Sequence, residues 1–189
     1  MTNLLEYKGI SEYHNTLKNT SYDSGNDEYL TELENEVIEF DKVAENYSKK
    51  LHLSGNLCSN DVFMALPNNK EYVFVEFKNG YIGGLKEINQ INRKIYDSMF
   101  ILSDITKTNI SELRNCISYI LVYNESKNSY LNSGIESESY NYIAEETLRY
   151  AEEDYKRFGL EKFEKFLLKK TYCFSSKIFE EYLKKYNMS

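Results

Sequence analysis

The chain reads Asp61-Val-Phe-Met-Ala-Leu-Pro-Asn-Asn-Lys-Glu-Tyr-Val-Phe-Val-Glu76-Phe-Lys78-Asn-Gly80 at its most informative point, a pattern that predicts two β-strands joined by a turn. Side chains alternate along a strand, so Glu76 and Lys78 project from the same face, and the turn at 67–69 brings Asp61 back beside them. Two neighbouring carboxylates bind a divalent cation through hard oxygen ligands, and a nearby lysine can steady a water or a developing phosphoryl charge. The stretch therefore indicates the chemistry of metal-assisted phosphodiester hydrolysis.

A solvent-exposed strand offers a simpler explanation of the alternating Glu76 and Lys78, because opposite charges often form ladders across neighbouring strands. The preceding run Tyr72-Val-Phe-Val75, however, is apolar on both faces. A charged pair that ends such a buried strand requires partners or a metal ion. This context favours a functional site over a surface charge ladder.

The composition is typical of one globular domain, since 41% of the 189 residues are hydrophobic and 28% are charged. No apolar run approaches the roughly 20 residues that span a membrane, and the N-terminus lacks the basic and apolar regions of a secretory signal. The three cysteines, Cys58, Cys116 and Cys173, are scattered and fit neither a disulfide framework nor a metal knuckle. We therefore expect a cytoplasmic protein with reduced thiols and no membrane association.

The net charge of −7 argues against tight unaided binding to phosphate groups. Lysines concentrate between 162 and 185, but glutamates are interleaved with them. Such a charge run is more typical of a solvated helix face than of a nucleic-acid footprint. A bound metal ion would offset the carboxylates of a site, so the acidic balance does not exclude a nuclease.

Helical periodicity flanks the two predicted strands. Apolar residues recur every three or four positions over 27–49 and again over 85–103, which predicts a helix on each side of the strand pair. The segment 115–123 is rich in β-formers and predicts a central strand packed on both faces. Residues 1–26 are polar with weak periodicity, and we expect them to be loosely packed.

The C-terminal part, 124–189, is predicted to be a helical tail that begins after a loop. Its predicted helices cover 138–157, 160–169 and 175–186. The dense aromatic and aliphatic residues of the tail favour packing on the core, because stripes of this kind at helical spacing are usually buried. A protein-binding element is the alternative. The chain is thus predicted to be a single domain with parts at 1–26, 27–123 and 124–189.

The order helix, strand, strand, helix, strand, with Asp61 and then Glu76-x-Lys78 on adjoining strands, resembles the PD-(D/E)xK nuclease superfamily. Asn60-Asp61 stands where that family often has Pro-Asp. The stretch Val75-Glu-Phe-Lys-Asn-Gly80, with Lys94-Ile-Tyr-Asp-Ser98 on the next helix, is similar to small bacterial nuclease-fold proteins. The resemblance covers 27–123 and implies an α/β, restriction-endonuclease-like core, a central mixed sheet flanked by helices, with a helical C-terminal extension outside it.

The resemblance also implies roles for the site residues. Asp61 and Glu76 would ligate Mg²⁺ or Mn²⁺, and the backbone carbonyl of Phe77 would complete the metal shell. Lys78 would contact the attacking water or the scissile phosphate. The substrate would be nucleic acid, with DNA favoured.

A glutamate from the first helix commonly joins such a site. Glu36 is our choice, because it lies at the edge of the apolar stripe of that helix. Glu32 and Glu39 lie further round the helix, and Asp41 flanks the other edge of the stripe. Two polar residues of the second helix are candidates for assisting the site: Gln90 and Lys94.

Patterns for other chemistries are weak in this sequence. Gly80-x-x-Gly83-Gly84 has neither dinucleotide-binding nor phosphate-loop spacing and indicates a flexible turn. His14 and His52 are the only histidines, and neither adjoins a nucleophile motif. Catalysis by carboxylates and lysine does not require a histidine.

Two functions of different classes follow from these observations. The first is a metal-dependent nuclease that acts on DNA, or alternatively on RNA, through Asp61, Glu76 and Lys78. The second is a non-catalytic protein-binding module that retains the nuclease fold, such as an inhibitor or a complex subunit. The acidic charge, the small size and the aromatic tail favour this second function.

Overall fold

A six-stranded mixed β-sheet forms the centre of the molecule in a computed structural model, which describes residues 3–55, 57–66, 71–131 and 158–185. The strands in these residues are β1 (His14–Thr16), β2 (Tyr22–Asp23), β3 (Glu28–Tyr29), β4 (Glu36–Glu39), β5 (Val62–Ala65), β6 (Tyr72–Lys78), β7 (Ile117–Tyr123) and β8 (Thr171–Ser175). The α-helices are α1 (Leu17–Thr20), α2 (Phe40–Lys50), α3 (Leu85–Thr106), α4 (Ile110–Leu113) and α5 (Ser176–Lys185). Short 3₁₀ helices cover Leu4–Glu6, Ser126–Leu131 and Leu160–Phe163.

The strands of the main sheet lie in the order β1-β4-β5-β6-β7-β8, while β2 and β3 form a separate antiparallel pair. Pairing is antiparallel from β1 to β6 and parallel between β6, β7 and β8. The parallel step from β6 to β7 runs through α3, because parallel neighbours need a long crossover connection. The predicted α/β class, with a mixed sheet flanked by helices, is confirmed.

The central strands are buried on both faces. Every residue of β7 is buried, and in β6 only Lys78, at the end of the strand, keeps partial exposure. Alternate side chains belong to two apolar clusters, of which one includes Phe74 and Leu121 with residues of α2 and α3. The other includes Val75 and Val122 with residues of α5. This burial confirms the prediction of a central strand packed on both sides.

The predicted helix over 27–49 is only half present, because β4 precedes α2 and the helix begins at Phe40. Val37 and Ile38 are both buried but in opposite clusters, as neighbours on a strand are. The helical spacing arose because a strand residue happened to continue the apolar stripe of α2. Pairing of β4 with both β1 and β5 overrides this local pattern.

The N-terminal residues are packed more tightly than their polar composition predicted. Leu4, Ile10 and Leu17 are buried, and β1 extends the sheet through its pairing with β4. The backbone N of Leu4 also donates to the hydroxyl of Tyr72 in β6 at 3.1 Å. This segment therefore contributes to the core.

The C-terminal region contributes a sheet strand where the sequence predicted only helices. β8 pairs with β7, and Leu160–Phe163 forms a 3₁₀ turn in place of the helix predicted over 160–169. β-Pairing with the buried β7 decides the conformation of a short run whose own pattern was ambiguous. α5 confirms the helix predicted over 175–186. The helix predicted over 138–157 and the turn at 67–69 lie outside the described residues.

The described part of the C-terminal region packs against the sheet. Phe163, Leu168, Phe174, Phe179 and Leu183 have no exposed surface. Among the helices that the structure describes, none combines the length and the apolar character needed to cross a bilayer.

Candidate functional site

Asp61, Glu76 and Lys78 meet where β5 begins and β6 ends, because these two central strands are antiparallel. The register of the two strands places Asp61, which directly precedes β5, beside the end of β6. The Oδ2 atom of Asp61 accepts a hydrogen bond from the backbone N of Phe77 at 2.6 Å. The structure thereby brings together the three principal residues that the sequence singled out.

Glu76 is fully buried and is contacted by two lysines. Lys78 projects from the same face of β6, and its Nζ lies 2.9 Å from Oε1 of Glu76. Lys94 of α3 donates to Oε1 at 2.7 Å and to Oε2 at 2.8 Å. A carboxylate without access to water needs such partners, because burying an uncompensated charge is costly.

Lys94 also reaches the second carboxylate of the site. Its Nζ donates to Oδ1 of Asp61 at 3.1 Å, in addition to the two bonds to Glu76. An ammonium has three N–H donors, so these contacts use all of them. One cation therefore bridges the two acidic residues.

Burial and charge act against each other at this site. Complete burial, followed by the neighbouring charge of Asp61, raises the pKa of Glu76 to about 7, although Lys94 and Lys78 act in the opposite direction. For Lys94, burial alone would lower the pKa, but the carboxylates of Glu76 and Asp61 outweigh it and raise the pKa. Lys94 therefore stays charged, and the two lysines favour the ionised form of Glu76 against the effect of burial.

The segment Lys94-Ile-Tyr-Asp-Ser98, within α3, is hydrogen-bonded to the stretch of chain just before β5. Oδ2 of Asp97 accepts from the backbone N of Cys58 at 3.0 Å, and Oγ of Ser98 accepts from the backbone N of Asn60 at 2.9 Å. Residues three and four apart share a helix face, which places these groups on the side of α3 that carries Lys94. One helix face thus fixes both the bridging cation and the backbone leading into β5.

Glu36, the predicted metal ligand from the first helix, lies away from the other acids. It opens β4, its side chain is 74% exposed, and its Oε1 lies 2.6 Å from Nδ1 of His14. The alternatives Glu32 and Glu39 are also engaged elsewhere, with Lys18 at 2.7 Å and with Asn15 at 2.8 Å. The structure therefore does not bring Glu36 to Asp61 and Glu76, since its stretch of chain is a strand and not the predicted helix.

Asp41 is the acidic residue of the first helix that the fold places near the site. The backbone N of Phe40 donates to the backbone O of Asp61 at 2.9 Å, which fixes the start of α2 beside β5. The Asp41 carboxylate accepts from Oγ of Ser59 at 2.5 Å. Loss of hydration around the carboxyl group, followed by the charge of Asp61, raises the pKa of Asp41. Its position in the first turn of α2 was a usable signal only once the true start of that helix was known.

The two remaining candidates occupy different environments. Gln90 is exposed on α3, one turn before Lys94, and within the described ranges its side chain makes no hydrogen bond to either carboxylate. Phe77 presents its backbone to Asp61, while its ring packs against Phe179 with ring centroids 5.9 Å apart. The main chain of Phe77, and not its side chain, therefore belongs to the site.

The donor set suits a hard divalent cation. Mg²⁺ is commonly held by one or two carboxylates, with waters and substrate oxygens completing its shell. Asp61 and Glu76 supply two such carboxylates, and no larger group of His, Cys, Asp or Glu side chains gathers as a metal site in the described parts of the chain. The residues therefore fit Mg²⁺ or Mn²⁺, provided that the ammonium of Lys94 gives up its contacts.

Two buried polar side chains close to the site lack hydrogen-bond partners within the residues described. Both amide atoms of Asn60 and the hydroxyl of Tyr119 are in this state. Burial, followed by the charge of Glu76, raises the pKa of Tyr119 well above that of a free tyrosine. Unsatisfied buried groups of this kind are rare in folded proteins, and each one lowers the free energy of unfolding.

Comparison with known proteins adds no relative from which a function could be transferred. The chain matches no protein-family model, no curated protein and no solved structure. The functional assignment therefore rests on the geometry and chemistry of Asp61, Glu76, Lys78 and Lys94.

Proposed function

We propose that this protein is a metal-dependent nuclease that hydrolyses phosphodiester bonds of DNA, with RNA as the alternative substrate. One observation carries the proposal: the carboxylates of Asp61 and Glu76 converge with the ammonium groups of Lys78 and Lys94 where β5 begins and β6 ends. Glu76 is fully buried there. A carboxyl group whose pKa is shifted by burial and by specific charged partners is a candidate for a functional site.

Each residue of the site has a distinct part in this proposal. Asp61 and Glu76, with the backbone carbonyl of Phe77, would hold Mg²⁺ or Mn²⁺. These residues would thereby place at the site the Lewis acidity that such an ion supplies to a phosphoryl group and to a water molecule. Lys78, whose side chain is 24% exposed, orients the attacking water or steadies the charge that develops on the phosphate.

A cleavage panel tests the proposal. Plasmid, linear duplex, single-stranded DNA and RNA are incubated with Mg²⁺, Mn²⁺ or EDTA, using the wild-type protein and Lys78→Ala. We expect metal-dependent cutting that falls about a hundredfold or more in the variant, because one group that stabilises the transition state is removed. Thermal unfolding of Lys78→Ala provides the control for folding. Retained cutting in a folded Lys78→Ala protein would rule out the proposed role of this residue.

A non-catalytic protein-binding module is the second candidate, and Lys94 favours it. The ammonium of Lys94 already compensates both carboxylates, so the metal-free protein satisfies its acids internally. In the C-terminal region Phe166 is 56% exposed and would offer a partner an apolar contact. Calorimetric titration with Mg²⁺ and Mn²⁺ separates the two functions. Specific binding that disappears in Asp61→Asn supports the nuclease, and its absence in the wild type supports the binding module.

A further inference from the structure

Lys94 occupies the place between Asp61 and Glu76 that a bridging cation would take. Its Nζ lies 2.7 and 2.8 Å from the two oxygens of Glu76 and 3.1 Å from Oδ1 of Asp61. The side chain is only 21% exposed, so the surrounding structure holds it in this position. The metal-free site therefore already contains one full positive charge at its centre.

A divalent ion and this ammonium require the same oxygen atoms. Mg²⁺ binds its oxygen ligands at about 2.1 Å in near-octahedral geometry, so an ion that bridges the two carboxylates would take the position that Nζ of Lys94 now holds. Two cations held a few ångströms apart in a partly buried site also repel each other strongly. Binding of the metal must therefore displace Lys94 from at least part of its contacts.

We propose that Lys94 is a positioning residue that acts as an internal counter-ion and competes with the divalent metal for Asp61 and Glu76. In the metal-free protein it holds the two carboxylates together, and its departure is coupled to metal binding. Lys94 thereby sets the metal affinity of the site. This inference rests on the proposed function, because it concerns the occupancy of the same two carboxylates.

Asp41 offers the displaced ammonium another partner. Its carboxylate interacts electrostatically with Lys94 and with Asp61, which places it close to both. Movement of Lys94 towards Asp41 would keep its charge compensated while the metal takes over Asp61 and Glu76. The region thus has three acids for two lysines, and this excess of one negative charge favours the binding of an added cation.

Calorimetric titration with Mn²⁺ tests the competition directly. Lys94→Met removes the ammonium but keeps a long flexible side chain, and we expect its Kd for Mn²⁺ to fall about tenfold, or about 1.4 kcal/mol. Lys86→Met is the matched control, because Lys86 is exposed on the same helix, and its Kd should equal that of the wild type. Equal Kd values for Lys94→Met and the wild type would overturn the inference while leaving the nuclease proposal intact.

A second measurement uses the unaltered protein, so it does not depend on the folding of Lys94→Met. Reductive methylation followed by mass spectrometry reports how fast each lysine reacts in EDTA and in Mn²⁺. We expect Lys94 to react several-fold faster in saturating Mn²⁺, because its nitrogen is released from two carboxylates, while the rate for Lys86 stays constant. An unchanged rate for Lys94 in a protein that binds Mn²⁺ contradicts the proposal.

The combined outcomes distinguish this inference from the proposed function. If Lys94→Met binds Mn²⁺ and the wild type does not, Lys94 is confirmed as the competitor and the wild-type chain is not a metal-dependent nuclease. If neither protein binds Mn²⁺, both the inference and the nuclease proposal fall.

Discussion

The hydroxyl of Tyr119 is a local defect that a single substitution can remove. It is buried and has no hydrogen-bond partner among the described residues. An unsatisfied buried group costs roughly 1–3 kcal/mol. We expect Tyr119→Phe to raise the free energy of unfolding by about 1 kcal/mol, measured by urea denaturation.

Tyr72→Phe supplies the opposite case for this measurement. The hydroxyl of Tyr72 is satisfied, since it accepts from the backbone N of Leu4 at 3.1 Å and donates to Oδ1 of Asn3 at 3.2 Å. Its removal should lower stability by about 1 kcal/mol. Equal losses in both variants would mean that Tyr119 has a partner, for example a buried water.

Substitutions of Asp41 and of Glu36 are expected to have different effects on the rate of cutting. Asp41 acts electrostatically on Asp61 and Lys94, whereas Glu36 pairs with His14 at the surface. Residues that support metal ligands from outside typically change activity by 10–100-fold when replaced. We therefore expect Asp41→Asn to lower the initial rate of Mg²⁺-dependent cutting about tenfold and Glu36→Gln to leave it unchanged. A larger loss in Glu36→Gln than in Asp41→Asn would contradict this placement.

The elements of the fold show which parts of the site local sequence can predict. Asp61, Glu76 and Lys78 could be identified from the sequence because strand alternation and a turn are local properties, and both act within one short stretch of chain. The acid of the first helix could not be identified in the same way. Its identity depends on where α2 begins, and that point is set by the pairing of β4 with β1 and β5. Long-range pairing is invisible to a periodicity argument.

β8 was missed for the same reason, and its packing leads to a stability prediction. Phe174 in β8 is fully buried with residues of α5, whereas Phe166, a few residues earlier, is 56% exposed. We expect Phe174→Ala to lower the free energy of unfolding by about 3–5 kcal/mol, as large-to-small changes in a core do. Phe166→Ala should change it by less than about 0.5 kcal/mol. A small effect of Phe174→Ala on the urea midpoint would show that β8 is not an integral part of the sheet.

At the scale of the whole molecule, net charge and local charge oppose each other. The chain carries a net charge of −7, which repels a polyanion at long range. The candidate site nevertheless presents the ammonium groups of Lys78 and Lys94, each only partly exposed and each paired with a carboxylate. In the metal-free protein these lysines have little positive charge to offer a phosphate. A divalent ion would change this balance by compensating the acids in their place.

Binding of DNA should therefore depend on metal even where cutting is absent. The Lys78→Ala protein allows this to be measured, because we expect it to bind without hydrolysis. Fluorescence anisotropy with a labelled duplex should give a Kd about tenfold lower in Mn²⁺ than in EDTA, corresponding to about 1.4 kcal/mol. The gain should vanish when Asp61→Asn is added, because the metal then loses a ligand. A Kd that is equal in Mn²⁺ and EDTA would show that the acids do not control access of phosphate to the site. Such a result would favour the protein-binding module, in which the pairing of Lys94 with Asp61 and Glu76 is permanent.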